Sequence, residues 1–269
     1  DTGINCQSGG IKKWLKTNRS PKWAVVAVTG DQLGIVTREL IYAGCKNILV
    51  EKPGGLDGND MQITAKLAKK HKSSVYIGYN RRFYSSTLKA LEIIKNERVL
   101  SFNFDFTERS NVIENLPGIN RIKRGWFLHN STHVIDMAFF IGGWPKKITA
   151  YKKGSLKWHP AGSIYSGAGI SEKGSLFSYH ANWSSAGRWS IEVMTSKSKL
   201  IFKPLEKLQI QRYGSMSIED LKLDDKIDID FKPGIYRQVD AFLNSPGKLL
   251  TIGEQIKNLK TFSKIHGNI

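Results

Sequence analysis

The segment from Trp23 to Pro53 most constrains the fold, because strand-like and helical patterns alternate in it with very short connections. Residues 23–28, Trp-Ala-Val-Val-Ala-Val, form an apolar run of strand length, and residues 33–43 have helical spacing. Residues 47–50 are a second apolar run, and the sequence Glu-Lys-Pro at 51–53 ends it, since proline cannot donate to a strand ladder. Strand–helix–strand with short loops predicts parallel strands and a right-handed crossover.

A second helix and strand continue this pattern. Residues 57–70 have helical spacing, and residues 74–77 form the next apolar strand, which Gly-Tyr-Asn at 78–80 terminates. Two consecutive strand–helix–strand segments predict a doubly wound parallel sheet. Such sheets bind ligands at the carboxyl ends of their strands. Lys52 would stand at that edge, although a Lys-Pro strand end also occurs for purely structural reasons.

Beyond residue 83 the pattern changes to closely spaced strands. After a helix over residues 84–95, residues 99–106 alternate with a period of two, which is typical of a half-exposed strand. Similar segments, separated by Gly, Pro and Ser, follow at 147–153, 175–183, 189–195 and 199–202. Their spacing predicts a mainly antiparallel sheet with one covered face.

The predicted fold class is therefore α/β, with two domains. A doubly wound parallel sheet over residues 1–80 precedes an α+β domain over residues 81–269, whose last helix could pack back on the first domain. The second sheet is rich in aromatic residues, so we expect its outer face to pair with a second copy. The alternative is that all these rings lie on the helix-covered face. The rings are those of Phe102, Phe104, Phe106, Phe177, Tyr179, Trp183 and Trp189.

Four motifs follow one another in a fixed order. They are VVAVTGDQLGIVTRELIYAGCKNILVEKPGG with VYIGYNRRF, then NSTHVIDMAFFIGGWP, then NWSSAGRWSIEV, and finally YRQVDAFLNSPGKLLTIGEQIKNLK. Together they resemble the glucose–fructose oxidoreductase / inositol dehydrogenase (Gfo/Idh/MocA) family over nearly the whole chain from about Trp23. The resemblance implies a Rossmann-type first domain, NAD or NADP as cofactor, a sugar, cyclitol or nucleotide-linked sugar as substrate, and a homo-dimer or homo-tetramer formed through the second-domain sheet.

The family's cofactor site opens with a strand and a Gly-x-Gly-x-x-Gly turn, whose amides hold the pyrophosphate. The 269 residues contain no such turn. We expect a truncated record that lacks the first strand–helix–strand unit; the alternative is a divergent protein that never had one. The residue that distinguishes NAD from NADP would lie in that unit. The remaining cofactor contacts implied by the resemblance are Thr29, Gly30, Asp31, Glu51, Lys52, Pro53 and Asn80.

A helix that starts near Asn130 or Ser131 carries the candidate catalytic groups, and either residue could act as its N-cap. His133 and Asp136 are three positions apart, so they share one helix face. Histidine titrates near neutrality and is suited to take a hydroxyl proton as hydride leaves the same carbon. His133 could instead be a capping or packing histidine.

The resemblance assigns roles to these residues. It implies that His133 accepts the proton and that Lys52 donates a hydrogen bond to the same substrate oxygen. Asp136 would orient the imidazole, hold a substrate hydroxyl, or make only a structural hydrogen bond. Many family members have an aspartate at the position of His129, so either His129 substitutes for it in part or the substrate differs from the inositol type. Further candidates for contacts with the substrate are Arg81, His129 and Asn130.

The composition fits a soluble, cytoplasmic enzyme. The sequence has neither an apolar run of membrane-spanning length nor a secretory signal, and its two cysteines suggest no disulfide framework or metal site. The net charge is +18, but the lysines are scattered and no nucleic-acid-binding motif occurs. We interpret this charge as a surface property rather than a sign of nucleic-acid binding. A positive field would still help to capture an anionic cofactor or a phosphorylated or nucleotide-linked substrate.

Two functions therefore remain. The first is a nicotinamide-dependent oxidoreductase, which the presence of Lys52, His133 and Asp136 together favours. The second is a non-catalytic relative that binds a sugar or a protein through the same cleft. The absence of the glycine turn favours the second function or a truncated record.

Overall fold

The structure is a computed structural model that describes residues 6–117 and 120–267. The chain divides into two compact units. The first unit contains the described residues up to Gly78 together with Leu249–Lys257, and the second contains Tyr79–Lys248 together with the described residues from Asn258 onward. Within these residues, no helix has both the length and the hydrophobicity that crossing a membrane requires.

Strands and helices occur in both units. The strands of the described residues are β1 (Trp23–Val26), β2 (Asn47–Glu51), β3 (Ser74–Gly78), β4 (Val99–Asp105), β5 (Pro145–Lys153), β6 (Ile164–Ser171), β7 (Leu176–Asn182), β8 (Ser190–Thr195), β9 (Ser198–Phe202), β10 (Gln209–Arg212), β11 (Ile218–Asp220) and β12 (Leu250–Thr251). The α-helices are α1 (Gly10–Trp14), α2 (Leu33–Tyr42), α3 (Gly58–His71), α4 (Ser85–Ile94), α5 (Ser110–Glu114), α6 (Asn120–Arg124), α7 (Thr132–Gly142), α8 (Lys226–Asp230), α9 (Ile235–Asn244) and α10 (Ile252–His266).

The first unit contains the predicted parallel sheet, with strand order β1-β2-β3-β12. Strands β1, β2 and β3 are parallel, and the two-residue strand β12 pairs antiparallel with β3. The connecting helices α2 and α3 match the helical patterns of the sequence to within one residue at each end. Asp57 caps α3 by accepting a hydrogen bond from the Asp60 amide at 3.0 Å, which explains why that helix begins where it does.

The second unit contains the predicted larger sheet, with strand order β11-β10-β9-β8-β4-β7-β6-β5. All neighbouring strands are antiparallel except β4 and β7, which are parallel. The predicted fold class is therefore confirmed. The sequence patterns did not indicate β6, β10, β11 or β12, because β6 contains two glycines and the other three are four residues long or shorter.

The prediction that aromatic rings cover the outer face of this sheet is wrong. All seven rings named above are buried, and none is more than 5% exposed. Helix α7 covers that face, and its Phe139 ring centre lies 5.2–6.1 Å from those of Phe102, Phe104 and Phe177. The structure instead agrees with the alternative stated above, that these rings lie on the helix-covered face.

Gly142 at the end of helix α7 packs directly against Phe102 of β4. A Cβ atom on Gly142 would lie 2.3 Å from the Cδ1 atom of Phe102, which no real side chain tolerates. The opposite face of the same strands carries small and polar side chains, and a groove of about 780 Å³ runs over it. The lining of this groove includes Asn103, Asp105, Ser166, Ser178 and His180.

Candidate functional site

Most of the predicted cofactor residues lie at one edge of the first unit's sheet. Because β1 and β2 are parallel and Val26 pairs with Val50, the loops after both strands leave the same edge. The structure therefore brings two predicted groups to that edge: Thr29, Gly30 and Asp31 after β1, and Glu51, Lys52 and Pro53 at the end of β2.

The backbone that follows Lys52 is closely packed within the first unit. The Pro53 carbonyl accepts a hydrogen bond from Nε2 of Gln255 at 3.2 Å. Gly54 has a φ of +97°, and a Cβ atom there would lie 2.5 Å from Cδ1 of Ile77, so the turn requires glycine. The loop therefore fixes the backbone from which Lys52 projects.

This edge is compatible with part of a dinucleotide. The N-cap residue of α2 is Gln32, and its side chain makes no capping hydrogen bond to the amides of the first helical turn. Amides in that position favour anionic groups such as phosphates. The Gly-x-Gly-x-x-Gly turn that would hold the pyrophosphate is absent from the sequence.

His133 lies in the second unit, in the first turn of α7. One π-helical turn, Phe127–Ser131, leads directly into this helix. The imidazole is 7% exposed, and its ring centre lies 6.1 Å from that of Tyr79 and 6.3 Å from that of Trp189. The candidate base therefore stands among aromatic rings, with a small part of its surface open.

The Asp136 side chain forms a buried ion pair with Arg82. Its two carboxylate oxygens accept hydrogen bonds from Nε and Nη2 of Arg82 at 2.8 and 2.7 Å. The two side chains are 1% and 8% exposed. This geometry agrees with the structural alternative raised for Asp136, and we treat Asp136 as a positioning residue. Its partner Arg82 lies 54 residues upstream, and no local sequence pattern indicates this pairing.

The expected N-caps do not cap the helix. Ser131 has helical backbone angles, because the π-helical turn continues the helix backwards, and no side-chain capping bond forms. Instead, Asn130 Nδ2 donates to Glu108 at 3.0 and 3.1 Å, and Ser131 Oγ donates to it at 2.7 Å. Burial raises the pKa of the Glu108 carboxyl, while these hydrogen bonds and the nearby charge of Arg188 lower it. Glu108, in the loop after β4, was not among the site residues predicted from the sequence.

The remaining predicted site residues also lie in the second unit. The Asn80 amide donates to the Pro233 carbonyl at 3.0 Å and is 6% exposed. His129 is 8% exposed and lies in the π-helical turn. The Arg81 guanidinium carbon lies 5.0 Å from the centre of the Trp189 ring. Trp189 therefore brings two predicted residues, Arg81 and His133, to one site.

Comparison with known proteins gives the fold. No protein-family profile matches the sequence, and no curated protein matches it. Among solved structures, levoglucosan dehydrogenase with NADH and levoglucosan has a TM-score of 0.74 at 15% identity, covering 96% of this chain and 80% of its own. An NAD-binding oxidoreductase from Klebsiella pneumoniae gives 0.73 at 15% identity, covering 94% and 80%.

A third solved structure, UDP-N-acetylglucosamine 3-dehydrogenase from Acidithiobacillus ferrooxidans, gives a TM-score of 0.70 at 13% identity, covering 98% of this chain and 83% of its own. Identities this low establish the fold alone. The chain has the two-sheet fold of these Rossmann-type oxidoreductases.

Proposed function

We propose that the chain is an NAD- or NADP-dependent oxidoreductase of the Gfo/Idh/MocA family. It transfers a hydride between the cofactor and a hydroxyl or keto carbon of a sugar, cyclitol or nucleotide-linked sugar. The observation that carries this proposal is that a chain with the fold of sugar dehydrogenases has Lys52 at the carboxyl end of a parallel strand and His133 at the start of α7.

In the proposed reaction, a nicotinamide cofactor, when bound, would supply the acceptor for the hydride that leaves the substrate carbon. The imidazole of His133 takes the hydroxyl proton as the carbon–oxygen double bond forms. The ammonium of Lys52 donates a hydrogen bond to the same oxygen and stabilises the negative charge that develops on it. The buried Arg82–Asp136 pair holds the turn of α7 that carries His133.

The proposed cofactor contacts are the strand-end residues of the first unit and Asn80 of the second. The uncapped amides of α2 would receive an anionic group, and the fixed loop after β2 would keep Lys52 in place. Asn80 would contribute mainly by holding the backbone at Pro233, since its amide is already bound there.

The second candidate is a binding protein of the same fold without hydride chemistry. It needs only the ligand site in the second unit, where Trp189 brings Arg81 and His133 together. In that case the site around Trp189 would bind its ligand without a cofactor.

A substrate panel separates the two functions. The protein is mixed with NAD or NADP and with neutral sugars, inositol, uronates, sugar phosphates or UDP-sugars, and absorbance at 340 nm is followed; NADH binding is measured separately by fluorescence. Cofactor reduction with at least one compound supports the oxidoreductase. If no compound reduces either cofactor and NADH does not bind, the binding protein is the better description.

A further inference from the structure

The Trp189 ring has two arginine side chains beside it. The guanidinium carbons of Arg81 and Arg188 lie 5.0 and 4.6 Å from its ring centre, and Arg81 also lies 5.8 Å from that of Tyr84. The indole is 5% exposed, whereas Arg188 is exposed. Two positive charges thus lie against one indole ring, and stacking alone stabilises each of them only modestly.

Neither arginine has a carboxylate within ion-pair distance among residues 6–117 and 120–267. The Nε atom of Arg81 is buried without a hydrogen-bond partner, and its Nη1 makes one long contact of 3.4 Å with Asn80. Burial lowers the pKa of Arg81, and the charge of Arg188 lowers it further, while Tyr84, Glu206 and Glu108 raise it. Arginine nevertheless keeps its charge in proteins.

Other half-buried or buried arginines of the described chain are paired with an aspartate. The distances are 2.5 Å for Arg38–Asp60, 2.7 Å for Arg82–Asp136 and 2.7 Å for Arg237–Asp228. Withdrawing a cation from water costs free energy unless an anion compensates it. Arg81 departs from this pattern, because Glu206 and Glu108 act on it only from beyond ion-pair distance, so an anion bound from outside the chain would compensate its charge more directly.

The Trp189 ring also lies beside the candidate base. The His133 ring centre lies 6.3 Å from that of the same Trp189 ring. Arg188 also lines a surface groove of about 950 Å³ together with Glu108, Arg109 and Gly187. A ligand whose anionic group contacts Arg188 therefore has space in this groove.

We propose that Arg81 and Arg188 form an oxyanion subsite that binds a carboxylate or phosphoryl group of the ligand. Planar guanidinium groups match both groups by paired N–H···O hydrogen bonds. The substrate is then an acidic sugar derivative, either a uronate or a phosphorylated or nucleotide-linked sugar. Only the sugar part of this inference rests on the proposed function; the anion subsite does not.

The test is equilibrium binding without cofactor, by titration calorimetry at constant ionic strength. The probes are D-glucuronate for the carboxylate, D-glucose 6-phosphate for the phosphoryl group and D-glucose as the neutral reference. The variants are Arg81→Gln and Arg188→Gln, and the matched control is Arg98→Gln, an exposed arginine of the same unit. Circular dichroism checks that each variant folds. Because Arg188 is exposed, we expect Arg188→Gln to fold and to keep the test valid even if Arg81→Gln does not fold.

We expect at least one acidic probe to bind saturably and more tightly than glucose. Each subsite variant should weaken that binding roughly tenfold or more, the scale of a lost hydrogen bond to a charged group, and Arg98→Gln should leave it unchanged. The probe that binds identifies the carboxylate or the phosphoryl group as the ligand chemistry. Unchanged affinity in both subsite variants, or no preference for acidic probes, would overturn the subsite.

This result is independent of catalysis. If the protein reduces no cofactor but its anion binding depends on Arg188, the subsite stands and the oxidoreductase proposal fails. If it oxidises a neutral sugar and Arg188→Gln has no effect on acidic probes, the oxidoreductase stands and the subsite fails.

Discussion

Breaking the buried Arg82–Asp136 pair should destabilise the second unit strongly. The two side chains are 8% and 1% exposed and are joined by two hydrogen bonds of 2.7 and 2.8 Å. Asp136→Ala leaves the Arg82 charge buried without its partner, and such a change costs about 3–5 kcal/mol. Replacing both residues, in Arg82→Met/Asp136→Leu, removes the charge and keeps most of the volume, so we expect most of that loss to be recovered.

The assay is urea unfolding followed by tryptophan fluorescence. Five of the seven tryptophans lie in the second unit, so the signal reports mainly on it. The matched control is Glu92→Gln, which breaks the exposed pair of Glu92 with Lys89 on α4 at a similar N···O distance of 3.1 Å. Exposed pairs contribute about 0–1 kcal/mol, so this control should change the free energy of unfolding by no more than that.

The reasoning would be refuted by either of two results. One is a loss in Asp136→Ala as small as that in Glu92→Gln. The other is a double variant that loses as much as the sum of its two single variants, since this would mean that the residues contribute independently.

Three further predictions follow from the second unit. Gly142→Ala places a Cβ atom against Phe102 and should cost about 1–3 kcal/mol in urea unfolding, whereas Gly247→Ala, with open space around it, should be neutral. Burial raises the pKa of the Glu108 carboxyl above 4.5, its value in the unfolded chain, so at pH values between the two pKa values the folded state binds more protons than the unfolded state. The free energy of unfolding should therefore fall as the pH rises from 4.5 through the folded-state pKa. Melting temperatures measured across this pH range should lose that fall in Glu108→Gln. Association through the second unit's sheet stays a prediction, although the aromatic outer face that motivated it is not present; light scattering showing only monomer at micromolar concentration would contradict it.

The parallel sheet and its strand ends could be predicted from sequence because local patterns determine them. Apolar runs, short connections and a terminating Pro53 place Lys52 at the carboxyl edge without any knowledge of distant contacts. The period-two pattern of β4 likewise predicted a half-buried strand, and its phenylalanines are the buried half.

The long-range contacts of the site could not be predicted in this way. Arg82 and Asp136 are 54 positions apart, and Glu108 lies 22 and 23 positions from Asn130 and Ser131. Only folding shows that these groups meet. The prediction that Asn130 or Ser131 caps α7 was also wrong. Serine and asparagine before a helix usually cap it, but here a π-helical turn precedes the helix and both side chains bind the buried carboxylate of Glu108 instead.

The central claim is that Lys52 and His133 act on one substrate oxygen, and steady-state turnover of single variants tests it most directly. On a substrate from the panel, Lys52→Ala and His133→Ala should each lower kcat about 100-fold or more, with NADH binding retained. The exposed controls Lys66→Ala and His180→Ala should turn over like the unaltered protein. A His133→Ala protein with unaltered kcat would contradict the account.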